Sequence, residues 1–366
     1  MFTQLPIGGG HVYNFTTINI ASGSTLKLSG QIFPYPLYFL AQGAVTISGT
    51  LDLSGDSGQS LTNVATLRIP AAGGPGGYSG GVGGNTAGSY MAESGNGSGG
   101  GSAATALTTP ANDGKFTGSP YLIPLIGGSG GGGGLSNAFV WSGCATNCFG
   151  GSGGGGGGAI LIASSVSITY SGFINASGGA PGSGFGTPGG TIGQGGSGSS
   201  GAIRLVAPTI SQTRGGDGPC LNGGTLAAAV QRIEAFNFTS DPSLGNCVTV
   251  KTSNPINVVT PSIPPSALKV VSLVTSSGTI PINANPFSFP DAVINTSSPV
   301  TVNVQAQYIP TGTVPKIIVF SDSGAADQSV LCSAGLQGTL AQSTCSASIT
   351  FAIGGNRGFV KATWNQ

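Results

Sequence analysis

The closest pair of carboxylates in this sequence is Asp52 and Asp56, in Leu51-Asp-Leu-Ser-Gly-Asp56, and Asp322 with Asp327 is the next. Cleavage of glycans needs two or three carboxylates, or carboxylates with Arg or Lys, converging on one face. The chain has ten acidic residues, mostly scattered singly. Asp52 also aligns with Asn175 in a repeated segment, and an amide there could not do acid–base work, so a solvated edge is the reading for this position. Asp52, Ser54 and Asp56 offer oxygens at alternate positions and form a calcium candidate. An EF-hand loop would need glycine at its sixth position and glutamate at its twelfth, where Ser57 and Asn63 stand. Phosphate loops close on Gly-Lys-Ser or Gly-Lys-Thr, whereas Gly114-Lys115 is followed by Phe116. The sole histidine, His11, follows Gly8-Gly9-Gly10 with no nucleophile close in sequence, and reads as a surface or capping residue. The expectation is a protein without catalytic residues, cofactor or bound metal.

Six cysteines fall into three local pairs, Cys144 with Cys148, Cys220 with Cys247 and Cys332 with Cys345. Six cysteines allow 15 connectivities; neighbour with neighbour is the expected one. Zinc is disfavoured because Cys144-Ala-Thr-Asn-Cys148 lacks a second nearby ligand pair. Disulfides imply an oxidising compartment. Met1-Phe2-Thr3-Gln4 shows neither a basic nor an apolar leader region, so the sequence reads as a processed form or one exported by another route. Asn-x-Ser/Thr sequons at Asn14, Asn96, Asn175, Asn237 and Asn295 are glycosylation candidates. Tyr35, Tyr38, Phe39, Tyr121, Phe139 and Trp141 could stack on sugars, although such residues more often pack over a core.

The elements that position these groups are strands. Only 6% of residues are charged and 68 are glycine, against about 25% and ~7% in an average globular protein. Apolar residues come in packets of four to eight bounded by Gly, Ser, Asn and Pro, which predicts many short strands and an all-β protein. Leu226 to Phe236 is the only stretch that reads as a short helix. Leu37 to Gly55 and Ala159 to Gly178 look like copies of one unit, and Ala202 to Ile210 repeats its front half. Ile18 to Leu28 is a looser copy, and Val230 to Phe238 a last one if it is strand rather than helix. Stacked copies would bury a ladder of aliphatic side chains. A parallel β-solenoid over residues 1–253 is the leading expectation, with a sandwich of long antiparallel strands second.

Glycine-rich insertions occupy about 73–158 and 178–201, including uninterrupted runs at Gly130 to Gly134 and Gly153 to Gly158. Ordering glycine loses more backbone entropy than ordering any other residue. Something must therefore hold these tracts if they are ordered, and extended polyglycine strands packed side by side are one solution. Residues 254–266 form a proline-rich linker. Residues 267–366 predict a separate Ig-like β-sandwich of about seven strands. Thirteen residues apart, Cys332 and Cys345 would clip a hairpin or neighbouring strands of it.

Between Tyr13 and about Phe238 the chain resembles the glycine-rich parallel β-helix proteins of bacterial surfaces. The resemblance rests on Val45-Thr-Ile-Ser-Gly-Thr-Leu-Asp-Leu-Ser-Gly55, on Gly154 to Ile162, on Gly193 to Val206 and on Arg232-Ile-Glu-Ala-Phe236. It implies an exported surface or matrix protein and carries over no catalytic residue.

Net charge is +1, with no basic cluster, which argues against nucleic acid and against anionic membrane surfaces. No apolar run reaches the ~18 residues of a membrane span. A surface this neutral repels its own copies weakly. The expected function is a structural subunit of an extracellular filament or surface layer, a homo-oligomer joined head to tail, with Phe2 to Ile7 or Phe359 to Trp364 as the exchanged segment. The alternative is a monomeric adhesin that binds surface glycans or a receptor. A glycan-active enzyme ranks third, and ice binding fourth because regular Thr spacing is lacking.

Overall fold

A computed structural model describes residues 11–60, 67–85, 90–106, 109–119, 121–136, 149–184, 193–213, 230–240, 250–252, 266–282, 290–321, 327–351 and 358–364. Among them there is no helix: the protein is all-β, with parallel sheets in one part and antiparallel sheets in another. Two compact units form, one from Met1–Thr62, Pro70–Thr86 and Ala92–Ser262, the other from Asn63–Ile69, Ala87–Met91 and Ile263–Gln366.

In the first unit the chain makes the same pass repeatedly. The first pass is β1 (Val12–Phe15), β2 (Ile18–Ile20) and β3 (Thr25–Lys27), and the second β4 (Leu37–Ala41), β5 (Val45–Ile47) and β6 (Thr50–Asp52). After β7 (Gly84–Asn85) and β8 (Leu135–Ser136), the third is β9 (Ala159–Ser164), β10 (Ser167–Tyr170) and β11 (Phe173–Asn175). Two-strand passes follow, β12 (Ala202–Val206) with β13 (Thr209–Gln212), then β14 (Val230–Glu234) with β15 (Asn237–Ser240), before β16 (Val250–Thr252). First strands stack as β1-β4-β9-β12-β14-β16, second strands as β2-β5-β10-β13-β15, and third strands as β3-β6-β11. Every described pairing in these three sheets is parallel.

Period-two alternation decides which side chains are enclosed. Ile18, Val45, Ile168, Ile210 and Phe238 lie in one register row across the second sheet. They join Leu51 and Ile174 of the third sheet, Leu53 just after β6, and Ile160, Ile162 and Leu205 of the first in one apolar cluster. Each fully buried aliphatic side chain there is worth about 1.5–3 kcal/mol relative to exposure. The helix expected over Leu226 to Phe236 is corrected. Val230–Glu234 is strand β14, because it pairs in register with β12 and alternation carries Ile233 and Ala235 into the cluster. Residues 226–229 lie outside the described residues.

The glycine-rich excursions leave after the third strand of a pass and return before the first strand of the next, and their hydrogen bonds repeat every three residues. Gly153 and Gly156 donate to Gly81 and Tyr78; Gly154 and Gly157 donate to Gly196 and Ser199; Gly155 and Gly158 donate to Asp56 and Leu53. Tyr78, Gly81 and Gly84 in turn donate to Gly128, Gly131 and Gly134, while Gly128, Gly131 and Gly134 donate to Gly157, Gly154 and Gly151. Three residues per turn is the polyproline II period, a backbone with no internal hydrogen bonds whose donors and acceptors all point outward to neighbours. Hydrogen bonds between segments of the chain thus satisfy the tracts and offset the entropy of ordering them. The side-by-side packing expected from the sequence is present in the described glycine tracts as segments joined by backbone hydrogen bonds.

The strands of the second unit are β17 (Ala267–Thr275), β18 (Gly278–Pro281), β19 (Val300–Gln307), β20 (Lys316–Ser321), β21 (Gln328–Leu331), β22 (Gln337–Gly338), β23 (Ser343–Ile349) and β24 (Gly358–Thr363). One sheet is ordered β18-β17-β19-β23-β22 and another β21-β20-β24, both antiparallel. Val300, Val302 and Val304 of the first sheet and Ile317 and Val319 of the second share one core. Cys332, next to β21, is disulfide-bonded to Cys345 on β23, with Cα atoms 5.8 Å apart. The bond joins the two sheets, where a hairpin or neighbouring-strand clip was expected. Closing a 13-residue separation restricts the unfolded chain by about 3 kcal/mol in the chain-entropy picture.

Candidate functional site

Asp52 lies at the end of β6, in register with Lys27 of β3 and Asn175 of β11. Its carboxylate accepts from the Ser54 N–H at 3.0 Å, from Lys27 Nζ at 3.3 Å and from Asn175 Nδ2 at 3.2 Å. Burial pushes the Asp52 carboxyl up, but the Ser54 donor and the Lys27 ammonium outweigh it and hold the group below the ordinary carboxylate value. Such a group contributes stability above its unfolded pKa and loses it as pH falls through the lower folded value. Lys27 is 45% exposed, so solvent screens the pair. Asp52→Asn should therefore remove less than ~1 kcal/mol at neutral pH and flatten that part of the stability decline below the ordinary carboxylate value, as followed by denaturation at stepped pH.

The calcium candidate thus has Asp52 committed to protein donors, with Lys27 also reaching Ser54 Oγ at 3.3 Å. Asp56 enters the glycine bundle through its backbone, donating to Ala72 O at 2.8 Å and accepting from Gly155. Among the described residues no group of three or more His, Cys, Asp or Glu is gathered. His11 is half-buried against the Tyr35 ring, 4.2 Å between centroids, and burial lowers its pKa. Asp322 lies outside the described residues, and Asp327 pairs with Arg68.

Sequons Asn14, Asn237 and Asn295 are exposed. Asn96 and Asn175 are engaged: Asn96 Nδ2 donates to Ser79 Oγ at 2.7 Å, and Asn175 Oδ1 accepts from the Ser177 hydroxyl of its own sequon at 2.8 Å. Cys144, Cys148, Cys220, Cys247, Phe139, Trp141 and residues 2–7 lie outside the described residues. Tyr38 and Phe39 are buried and Tyr121 is 61% exposed. Phe359 to Thr363 are already paired with β20 as part of β24.

Two charge clusters escaped sequence reasoning. On the outer face of the first sheet, Arg204 of β12 and Arg232 of β14 are register partners, and both Nε atoms donate to Glu234 Oε1, at 2.8 and 2.6 Å. All three side chains are at most 4% exposed. Tyr121 and its neighbours Leu122 and Leu125, from a glycine-rich excursion, cover this face: Arg232 Cζ is 5.5 Å from the Tyr121 ring centroid, and Leu122 and Leu125 pack with Tyr38, Leu161 and Ala202. An arginine at the third position of two successive copies, Ala202-Ile-Arg204 and Val230-Gln-Arg232, was the available signal in a chain with only 11 Lys and Arg.

Within the second unit, Arg68 is fully buried and paired with Asp327. Asp327 also accepts the Met91 N–H at 3.1 Å, and the guanidinium lies 4.9 Å from the Tyr90 ring and 5.7 Å from the Phe320 ring. Arg68 and Met91 belong to the segments Asn63–Ile69 and Ala87–Met91, which group with the second unit and which sequence had placed within 1–253. No sequence signal links residues 259 positions apart.

Among the described residues, the three parallel sheets of the first unit end in β1, β2 and β3, all strands of the first pass. Ile18 N–H donates to Ala44 O at 3.3 Å, and Ile20 O accepts from Ser48 at 2.8 Å. Since donors alternate sides along a strand, the Asn19 N–H and C=O face away from β5. The exposed residues Asn14, Asn19, Thr25 and Lys27 mark this end. No family model, curated protein or solved structure matches the chain. No helix among the described residues is long and apolar enough to cross a membrane.

Proposed function

We propose that the protein is a non-enzymatic structural subunit of an extracellular filament or surface layer. In this reading the repeated passes form a parallel β-solenoid, the polyglycine bundle is its lateral buttress, and an Ig-like β-sandwich follows. Subunits join head to tail by strand addition at the solenoid ends. The observation that carries the reading is that, among the described residues, three strands of one pass, β1, β2 and β3, end the sheets on one side, with β15 and β16 ending theirs on the other. Unpaired strand edges are templates for another chain, and a parallel β16-to-β1 junction would continue the existing pattern between copies. A heterologous contact of this kind propagates unless it closes into a ring. Low charge supports close packing of copies. The Cys332–Cys345 disulfide and the exposed sequons support an oxidising, extracellular setting.

Negative-stain electron microscopy of secreted material under non-reducing conditions tests the reading, with regular filaments or sheets expected. Asn19→Pro deletes an outward donor on an edge strand, where proline is tolerated. It should leave the monomer folded and stop assembly. Dispersed particles from the parent chain at high concentration would reject the filament, and glycan-array binding by those particles would establish the adhesin instead.

A further inference from the structure

The Arg204–Glu234–Arg232 cluster is charged out of balance. Two guanidinium groups face one carboxylate, which leaves a net charge of one positive unit among the described residues, at side-chain exposures of 2%, 0% and 4%. An uncompensated buried charge is strongly unfavourable. Arginine also carries five N–H donors and no acceptor. Arg204 Nη2 and Arg232 Nη1 are both buried and have no hydrogen-bond partner among the described residues. Their Nε atoms meet on one Glu234 oxygen, so the two guanidinium groups are held side by side by the same acceptor. Tyr38 lies in the same outward register row, two strands from Arg204. The Arg204 charge pulls its hydroxyl pKa down against a larger upward push from burial.

We propose that Arg204 and Arg232 hold a small monovalent anion, of halide size, on the outer face of the first sheet beneath the segment that carries Tyr121, Leu122 and Leu125. Monovalence follows from the single unit of excess charge, and small size from the near-complete burial of all three side chains. Such an ion neutralises the cluster, fills the open donor positions and ties β12 and β14 to the excursion that covers them. Water would satisfy the donors but not the charge.

Two measurements on the full chain test this. Crystals grown with sodium bromide should show one anomalous peak within hydrogen-bond reach of Arg204 Nη2 and Arg232 Nη1. Thermal unfolding in sodium chloride should exceed that in sodium gluconate of equal ionic strength by roughly 5 °C once chloride is about 100-fold above its dissociation constant. Arg232→Met removes the excess charge and should abolish both the peak and the chloride dependence. If that variant does not fold, the parent measurements decide alone. An ordered water without anomalous signal, or equal midpoints in the two salts, overturns the proposal, as does a bromide peak that persists in Arg232→Met.

Discussion

Gly131→Ala should cost ~3 kcal/mol or more in the stability of the first unit, through overpacking of about 1–3 kcal/mol together with hydrogen bonds worth ~1 kcal/mol each. Gly131 is central in the glycine bundle. Its N–H donates to Gly154 O and its carbonyl accepts from Gly81, both at 2.9 Å. An added Cβ would strike the backbone carbonyl of Gly196, with Ser197 O only 2.6 Å away. Those atoms belong to a third chain segment that is itself bonded, Gly196 N–H to Gly132 O at 2.8 Å, so relief at one contact breaks another. Gly23→Ala is the control. Gly23 has φ +77° but nothing within 4 Å, so only left-handed strain of about 1–2 kcal/mol applies. Urea denaturation of the two variants separates the causes. A Gly131→Ala loss no larger than that of Gly23→Ala would mean that the tracts are not packed as a bundle.

Glu234→Gln should cost about 3–5 kcal/mol, the range for breaking a buried ion pair by removing one partner. Here both arginines lose their shared carboxylate, and two buried positive charges face each other across register-paired positions. Replacing all three charged residues by apolar ones (Arg204→Met, Arg232→Met, Glu234→Leu) should be neutral or stabilising by about 1–4 kcal/mol, because the face already lies among Tyr38, Leu161 and Ala202. Chemical denaturation distinguishes the two variants. A mild Glu234→Gln effect with no dependence on chloride would mean that the cluster is hydrated rather than sealed. Recovery of Glu234→Gln stability in high chloride is expected if the bound anion compensates for the lost carboxylate.

The strand content was legible because alternation is a local property. Val45-Thr-Ile47 and Ser167-Ile-Thr-Tyr170 declare an inner and an outer face within a few residues, and the structure pairs those segments. Repetition of the pattern announced that the copies pair with one another. The ambiguity at Leu226 to Phe236 was equally local, since a short apolar run fits either element until a neighbour supplies a register. Pairing with Ala202–Val206 resolved it in favour of strand. For the candidate site, sequence marked Asp52 and its repeat partner Asn175 and read a solvated edge; the structure joins them at 3.2 Å and leaves both half-buried.

Sequence by itself determined an all-β chain with repeated strand units and glycine tracts that need backbone partners. Tertiary structure alone decided which partners those are. A glycine carries no side chain to encode register, so nothing in Gly153 to Gly158 names Tyr78, Ser199 or Leu53 as acceptors. The charge clusters are equally non-local: Arg204 and Glu234 are 30 residues apart, Arg68 and Asp327 259. In a chain this poor in charge each such residue reads as an isolated surface group. Stacking of successive passes turns two of them into register neighbours, and folding of the excursion over them makes them buried.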